Sequence, residues 1–471
     1  MSRRYDLIID GKSVPADDYA EIRSPSTGEV VGLAAQASRA QLDDAVGAAQ
    51  QAFAGWRCAS DETRSEACAA VAGAITEHQA ELAELLSREQ GKPLKGLGAE
   101  FELQGCIGWA GFTAQQSLPV KVIEDSEERR VEEHRVPIGV VGSITPWNWP
   151  LMIAVWHILP AIRTGNAVVI KPSPFTPLGT LRLVEIMNEV LPPGLVNAIA
   201  GGDELGAELS RHPDIRKLVF TGSIPTGSKV MASAASDLKR VTLELGGNDP
   251  AIVLPDADPA AIAEGLYWGA MINSGQTCGA IKRLYVHDAL YDAVAESLLA
   301  IDAKVPMGDG LDTNNLLGPL QNERQYRKVI ELVEDAKARG ARILCGGEPT
   351  DGPGYFYPVT FVADIEDGAP LVDDEQFGPV LPIIRYTEVD DAVRRANGTS
   401  YGLDASVWGR DPEQLADVAA RLEAGTVFIN KHADIAPHIP FGGVKCSGLG
   451  VEFGEEGLAA YTDIKIINAA V

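Results

Sequence analysis

"VVGSITPWNWPLMIAVWHILPAIRTGNAVVIKPSPFTP", residues 140–177, changes rhythm as it runs. It opens with "VVGSIT", a short β-branched run of strand type, and the prolines of "TPWNWP" close that run. "PLMIAVWHILPAI" (150–162) is apolar almost all round, as a buried helix is, and too short to span a bilayer. "AVVI" is a second strand-like run, closed by "KPSPFTP". Strand, helix, strand with no hairpin turn means parallel neighbours joined by a crossover helix. Working outward, "VNAIAG", "KLVFTG" and "VTLELGG" continue the series, mostly separated by helical stretches such as "LGTLRLVEIMNEV" and "IPTGSKVMASAAS". A second β/α series runs from about 250 to 445. An α/β protein with two open α/β units, each a parallel sheet covered by helices, is expected.

Toward the N-terminus the first 110 or so residues read as mostly helical. Leu42, Val46, Ala49, Phe53 and Trp56 keep helical spacing, as do Val71, Ile75, His78, Leu82 and Leu85, a second helix that "GKP" (91–93) ends. Residues 119–137, "PVKVIEDSEERRVEEHRVP", are charged and partly alternating, like a pair of exposed strands or an extended arm. The tail "LAAYTDIKIINAAV" (458–471) ends as a strand that would leave an open edge unless it joins another sheet.

Composition narrows the partners. The 471 residues are 45% apolar and 23% charged, an ordinary soluble globular balance. A formal charge of −26 argues against a nucleic-acid surface, which needs clustered Lys and Arg. The six cysteines (Cys58, Cys68, Cys106, Cys278, Cys345, Cys446) form no C-x-x-C pair, the pattern of reduced thiols. The histidines form no H-x-x-x-H cluster, so no metal site is expected. The apolar run of "MSRRYDLIIDG" is too short for a signal peptide. The expected location is the cytoplasm, with no membrane partner.

Two open α/β units place ligands in the cleft at the carboxyl ends of their strands. Four motifs sit there: "TPWNWP" (145–150), "KPSPFTP" (171–177), "FTGSIPTG" (220–227) and "LELGGNDP" (243–250). Each alone marks only a turn. In "FTGSIPTG", Gly222, Ser223 and Gly227 begin a helix, whose free N–H groups suit a phosphate, but a plain turn reads equally well. Asn148 is a candidate helix cap, and Glu244 a candidate satisfied carboxylate at a strand end. "NSGQTCGA" (273–280) holds Cys278 in a polar turn between an apolar helix-like run and the strand-like "IKRLYV". There the thiol either packs as a small hydrophobe or is presented as a nucleophile.

With "NSGQTC", these four stretches resemble the NAD(P)-dependent aldehyde dehydrogenase superfamily. The likeness extends to "DDEQFGPVLP" (373–382), "GTVFIN" (425–430) and "PFGGVKCSGLGVEFGEEGLAAYTDIK" (440–465), in family order, and reaches from "SPSTGEVVG" to the tail. It implies an aldehyde-dehydrogenase-like fold of two Rossmann-like domains with a small β oligomerisation arm. The divisions expected are 1–118 with 138–246 for the cofactor, 247–445 for catalysis, and 119–137 with 458–471 for the arm. A homodimer or homotetramer follows from the same likeness.

The resemblance also assigns chemistry. Cys278 would add to an aldehyde carbonyl to give a thiohemiacetal, with its own N–H and the Asn148 amide steadying the oxyanion. Loss of hydride to NAD gives a thioester, and Glu244 would act as general base on the water that hydrolyses it. Thr145, Pro146, Trp147, Lys171, Ser173, Gly222, Ser223, Leu245, Glu375 and Phe377 would hold the cofactor. Within that set Lys171 is matched to the adenosine ribose, Ser223 with Gly222 to the pyrophosphate, and Glu375 to the nicotinamide ribose. Trp149, Met152, Ile153, Trp156, Ile272 and Ile435 would line the substrate tunnel, although they are also ordinary core types.

Two positions depart from the family pattern. Pro174 stands where many NAD-preferring members carry a glutamate, so an acceptor for ribose hydroxyls and a charge that repels the NADP 2′-phosphate are both missing. NAD is favoured, with use of NADP left open. His157 stands where many members carry lysine, and with Glu452 it is a candidate proton relay or else a packed core histidine. The competing readings are a CoA-acylating semialdehyde dehydrogenase, which would not need Glu244, and a non-catalytic structural or binding protein on the same scaffold.

Overall fold

A computed structural model describes residues 3–471. Its largest sheet has eight strands in the order Gly448–Leu449, Arg240–Glu244, Ile215–Thr221, Val140–Ile144, Ala167–Lys171, Val196–Ala198, Leu7–Ile9, Lys12–Val14. The five from Arg240–Glu244 to Val196–Ala198 are parallel. Every residue of Val140–Ile144 and Ala167–Lys171 is buried, because helices cover both faces, and this is why they read as largely apolar runs without polar alternation. Helix Pro150–Arg163 connects them, with proline at its first turn, where the missing N–H costs no hydrogen bond. Gly165, at φ 90°, turns the chain back to the sheet after it.

The N-terminal region corrects the expectation of mostly helix. Five strands, Arg4–Tyr5, Leu7–Ile9, Lys12–Val14, Asp18–Arg23 and Val30–Gln36, precede the first helix, Arg39–Trp56. They are short and mixed in polarity, so no periodicity announces them, and two of them extend the large sheet at its far edge. The second expected helix is two, Asp61–Glu77 and Gln79–Gln90, broken at His78 (φ −101°, ψ 10°).

A seven-stranded sheet follows: Arg342–Ile343, Thr360–Ala363, Val380–Tyr386, Ile281–His287, Asp249–Val253, Asp404–Trp408, Thr426–Ile429. All but the first strand are parallel. The carboxyl ends of the first sheet and the amino ends of this one share a cleft, so Cys278 and Glu375 come before their strands rather than after them.

Two three-stranded sheets remain: Arg4–Tyr5, Val30–Gln36 and Asp18–Arg23 form one, and the other joins Lys121–Asp125 and Arg129–Pro137 to the tail strand Thr462–Ala470. The tail finds its partner within the chain, running antiparallel from Thr462 opposite Pro137 to Ala470 opposite Arg129. Its outer edge stays open, and Val122, Ile123, Ile464 and Ile466 are exposed. Among the described residues no helix is long and apolar enough to cross a membrane.

Candidate active site

The cleft between the two sheets encloses about 860 Å³. All ten residues expected to hold a cofactor line it, together with Asn148 and Cys278. So do Asp203 and one face of helix Glu323–Ala338, including Arg324, Arg327 and Lys328, none of which the sequence singled out. That helix is amphipathic and charged like any solvated helix, so nothing in its pattern marks it.

The turn that presents Cys278 is held in an uncommon shape. Asn273 (φ 52°), Ser274 (φ 53°) and Gly275 (φ 73°) are left-handed in succession. For Ser274 such a conformation costs about 1–3 kcal/mol and persists only when neighbours enforce it. Ser274 Oγ donates to Gly318 O at 2.8 Å, and Asn273 Nδ2 donates to Asn148 O at 2.9 Å. Gln276 Nε2 donates to Asn273 O at 3.0 Å, while its Oε1 accepts the Gln321 N–H at 2.8 Å. A Cβ on Gly275 would lie 2.1 Å from Gly378 O, so only glycine fits.

Cys278 is half-buried, and burial pushes its thiol up to about 12. Lys282 pulls the other way, whereas Asp404, Glu375 and Asp249 add to the rise. Lys282 is itself buried and donates to Thr277 O (2.8 Å) and Cys278 O (2.5 Å), 3.5 Å from Glu375 Oε1. It thus ties the Cys278 turn to Glu375. The sequence hid it in the strand "IKRLYV", since buried lysine is too rare to expect.

Asn148 is not the cap of its helix. The cap position is Trp149, and Glu102 from helix Ala99–Gln115 accepts the N–H groups of Leu151 (2.9 Å) and Met152 (3.1 Å) instead. Asn148 Nδ2 donates to Gln276 O at 3.0 Å, which holds the amide beside the Cys278 turn. Its carbonyl accepts Lys92 Nζ at 2.9 Å, and Lys92 pairs with Glu102 at 2.5 Å.

Glu244 is not a satisfied carboxylate either. It ends its strand, is buried, and neither oxygen has a hydrogen-bond partner among the described residues. Burial first, then the charges of Glu452 and Asp404, push its carboxyl well above the usual range. A buried acid left unpaired is a signature of function rather than of stability.

His157 is fully buried, with Nδ1 2.8 Å from Ser143 Oγ and Nε2 3.1 Å from Thr221 Oγ1. Nε2 also lies 3.1 Å from Glu452 Oε1, but that carboxylate oxygen forms no aligned hydrogen bond. The ring therefore bonds to the threonine, with the acid in close reach.

Of the expected tunnel residues, Trp156 and Ile435 gather with Cys278 around Leu403, Phe441 and Phe453. Trp109 joins them, its ring centroid 5.4 Å from those of Trp156 and Phe453. Trp149 lies in the core, its indole N–H donating to Thr277 Oγ1 at 3.0 Å and its face under Lys92 at 3.6 Å. Ile153 is core as well, Met152 abuts Gly105, and Ile272 packs at the core margin.

The description "Aldehyde dehydrogenase family" matches residues 13–467. A probable aldehyde dehydrogenase of Pseudomonas sp is 40% identical over 468 residues, covering 98% of this chain and 94% of its own. Retinaldehyde dehydrogenase 3 of Homo sapiens is 38% identical over 459 residues, covering 94% and 88%. Among solved structures, an NAD-dependent aldehyde dehydrogenase from Sinorhizobium meliloti superposes with a TM-score of 0.96 at 36% identity, over 100% of this chain and 95% of that one. An NAD+ complex of aldehyde dehydrogenase from Bacillus cereus gives 0.97 at 34%, over 100% and 97%.

Proposed function

The chain belongs to the aldehyde dehydrogenase family, which oxidises aldehydes with NAD(P)+, and from that premise we propose how its own residues do so. The observation that carries the proposal is a half-buried thiol, Cys278, lining the cleft, with a buried carboxyl unpaired among the described residues, Glu244, one position before Leu245 of the cleft wall. The cleft suits a dinucleotide. Helix Ile224–Ala234 begins after Gly222 and Ser223 with no side-chain cap on its first N–H groups, a ready phosphate site. Lys171 stands at one wall and Glu375, whose Oε1 accepts the Gly247 N–H at 3.2 Å, at another. When bound there, the dinucleotide supplies the acceptor for the hydride.

The chain's residues supply the rest. The Cys278 thiol gives its proton to water, the thiolate Sγ bonds to the carbonyl carbon as the C=O π pair moves onto oxygen, and the oxyanion so formed takes hydrogen bonds from the Cys278 N–H and the remaining amide hydrogen of Asn148. Once the hydride has left, the acyl group stays on Sγ as a thioester. Glu244 removes a proton from water as the oxygen attacks that acyl carbon, and the thiolate leaves with the C–S pair of electrons. Its raised pKa makes the ionised form a stronger base than an ordinary carboxylate. This hydrolytic ending is also why the CoA-acylating alternative is not favoured. The direct test is NADH absorbance on adding aldehyde and NAD without CoA, for the wild type and for Cys278→Ala.

His157 supports the same scheme as a positioning residue that exchanges a proton with Glu452, whose charge acts on Glu244, while Thr221 holds the ring. Glutamine keeps a hydrogen bond but cannot shuttle a proton. His157→Gln is expected to lower kcat about tenfold, with cofactor affinity kept and the acid limb of the pH–rate profile moved. A profile that overlays the wild type would leave His157 only its packing role.

The exposed isoleucines on the open tail edge support assembly into a homodimer or homotetramer through the arm. Light scattering should give at least twice the chain mass, and a stable, active monomer would contradict the proposal. Residues 1–118 with 138–246 serve the cofactor and 247–445 the nucleophile in this scheme. The free, scattered cysteines support a reducing compartment, the cytoplasm.

A further inference from the structure

We propose that Asp203 sets the preference for NAD over NADP by presenting its carboxylate to the adenosine ribose, the part that Pro174 cannot play. The proposal rests on the reading that the Lys171 end of the cleft receives that ribose. Asp203 is the first residue of helix Asp203–Arg211, directly after Gly202, and its side chain is exposed. It lines the cleft together with Lys171, Ser173 and Pro174. The helix lies against the lysine stem: a Cβ on Gly206 would sit 3.6 Å from Lys171 Cδ and Cε. The small residue at 206 thus lets the lysine run beside the first turn that carries the acid. Lys171 Nζ donates to Pro172 O at 3.0 Å, and burial lowers its pKa to about 8. The one charge that raises it again is Asp203, so lysine and aspartate act on each other across this part of the cleft.

The chemistry follows from that placement. An ionised carboxylate accepts hydrogen bonds from both ribose hydroxyls of NAD, the part an acidic residue plays in dinucleotide sites generally. NADP carries a phosphate in place of the 2′ hydroxyl hydrogen. The same carboxylate then loses an acceptor interaction and faces a like charge, so attraction to one cofactor and repulsion of the other come from one group. Pro174 contributes neither effect, because its ring has no polar atom. The sequence concealed the substitution, since Asp203 stands far along the chain from Pro174, in a helix start that reads as a simple acidic first turn.

The test measures kcat/KM and equilibrium Kd for NAD and NADP in the wild type, Asp203→Asn, Asp203→Asn with Pro174→Glu, and Lys171→Ala. Asp203→Asn should lower the NAD:NADP ratio about tenfold or more, chiefly by tightening NADP, and Pro174→Glu should restore it. If Lys171→Ala weakens both cofactors while Asp203→Asn leaves the ratio unchanged, the ribose is correctly placed and the role of Asp203 is refuted. If Lys171→Ala changes neither Kd, the placement itself is wrong, and the proposal falls with it.

Discussion

Cys278→Ala is expected to make no measurable NADH from any aldehyde while still binding NAD. Of the six cysteines, Cys68 and Cys106 are buried in the core, Cys58 and Cys446 are exposed, and Cys345 packs against the second core. Cys278 is the one that lines the cleft. Without its sulfur no atom there can form the bond to the carbonyl carbon. Loss of a nucleophile costs on the order of 10⁶ in turnover, which puts the variant below an absorbance assay. The residues expected to hold the cofactor are untouched, so the Kd for NAD should stay within about twofold. Substantial NADH from the purified variant would sink the assignment. The thiol's environment adds a pH sign. With a pKa of about 12 the cofactor-free chain holds Cys278 as the neutral thiol at pH 7. Each unit of rising pH should then raise the thiolate fraction about tenfold. Alkylation of Cys278 by iodoacetamide should climb through pH 9 without a plateau.

Glu244→Gln is the second large effect, and it should fail at a different step. Glutamine matches the shape but cannot accept water's proton. The first round should proceed through hydride loss, giving a burst of one NADH per subunit. Turnover should then fall about 10²- to 10⁴-fold, the usual contribution of a general base. Intact-mass spectrometry should find the acyl group on the chain. The wild-type sign is set by burial, which holds Glu244 protonated to a higher pH than an ordinary acid. Deacylation should rise as pH climbs through that raised pKa and fade as pH drops below it, and this limb should vanish in the variant. Steady-state turnover equal to wild type would show that another group activates the water.

The parts of this molecule that were legible in the sequence share a physical reason. Val140–Ile144 and Ala167–Lys171 are buried on both faces, so burial wrote itself as largely apolar runs without polar alternation. The ten residues that the resemblance matched to a cofactor stand in short motifs next to strands, where glycine, proline and polar side chains interrupt the apolar runs visibly, and all ten line the cleft. Three of the five N-terminal strands were hidden because two or three residues carry no period, and Asp18–Arg23 and Val30–Gln36 because their polar and apolar residues do not alternate cleanly. Lys282 and Asp203 were hidden for a different reason. Each has a bland local context, a strand interior and a helix start, and gains its meaning only from Glu375 and Lys171, which the fold brings from elsewhere. The bland readings of Asn148 and Glu244 failed for the same cause: Glu102 already serves as the helix cap, and among the described residues no aligned hydrogen bond reaches the Glu244 carboxyl.

The Lys92–Glu102 pair has an evolutionary consequence. Both side chains are wholly buried, and between them they hold the carbonyl of Asn148 and the first turn of the helix that follows it. Replacing either alone strands the other charge in the interior, at about 3–5 kcal/mol. A lineage therefore cannot drift out of the pair one substitution at a time, although removing both together is open to it. The backbone beside the nucleophile is in effect frozen by two positions that touch no substrate. Neutral change should accumulate over the exposed helices while this corner of the N-terminal half stands still.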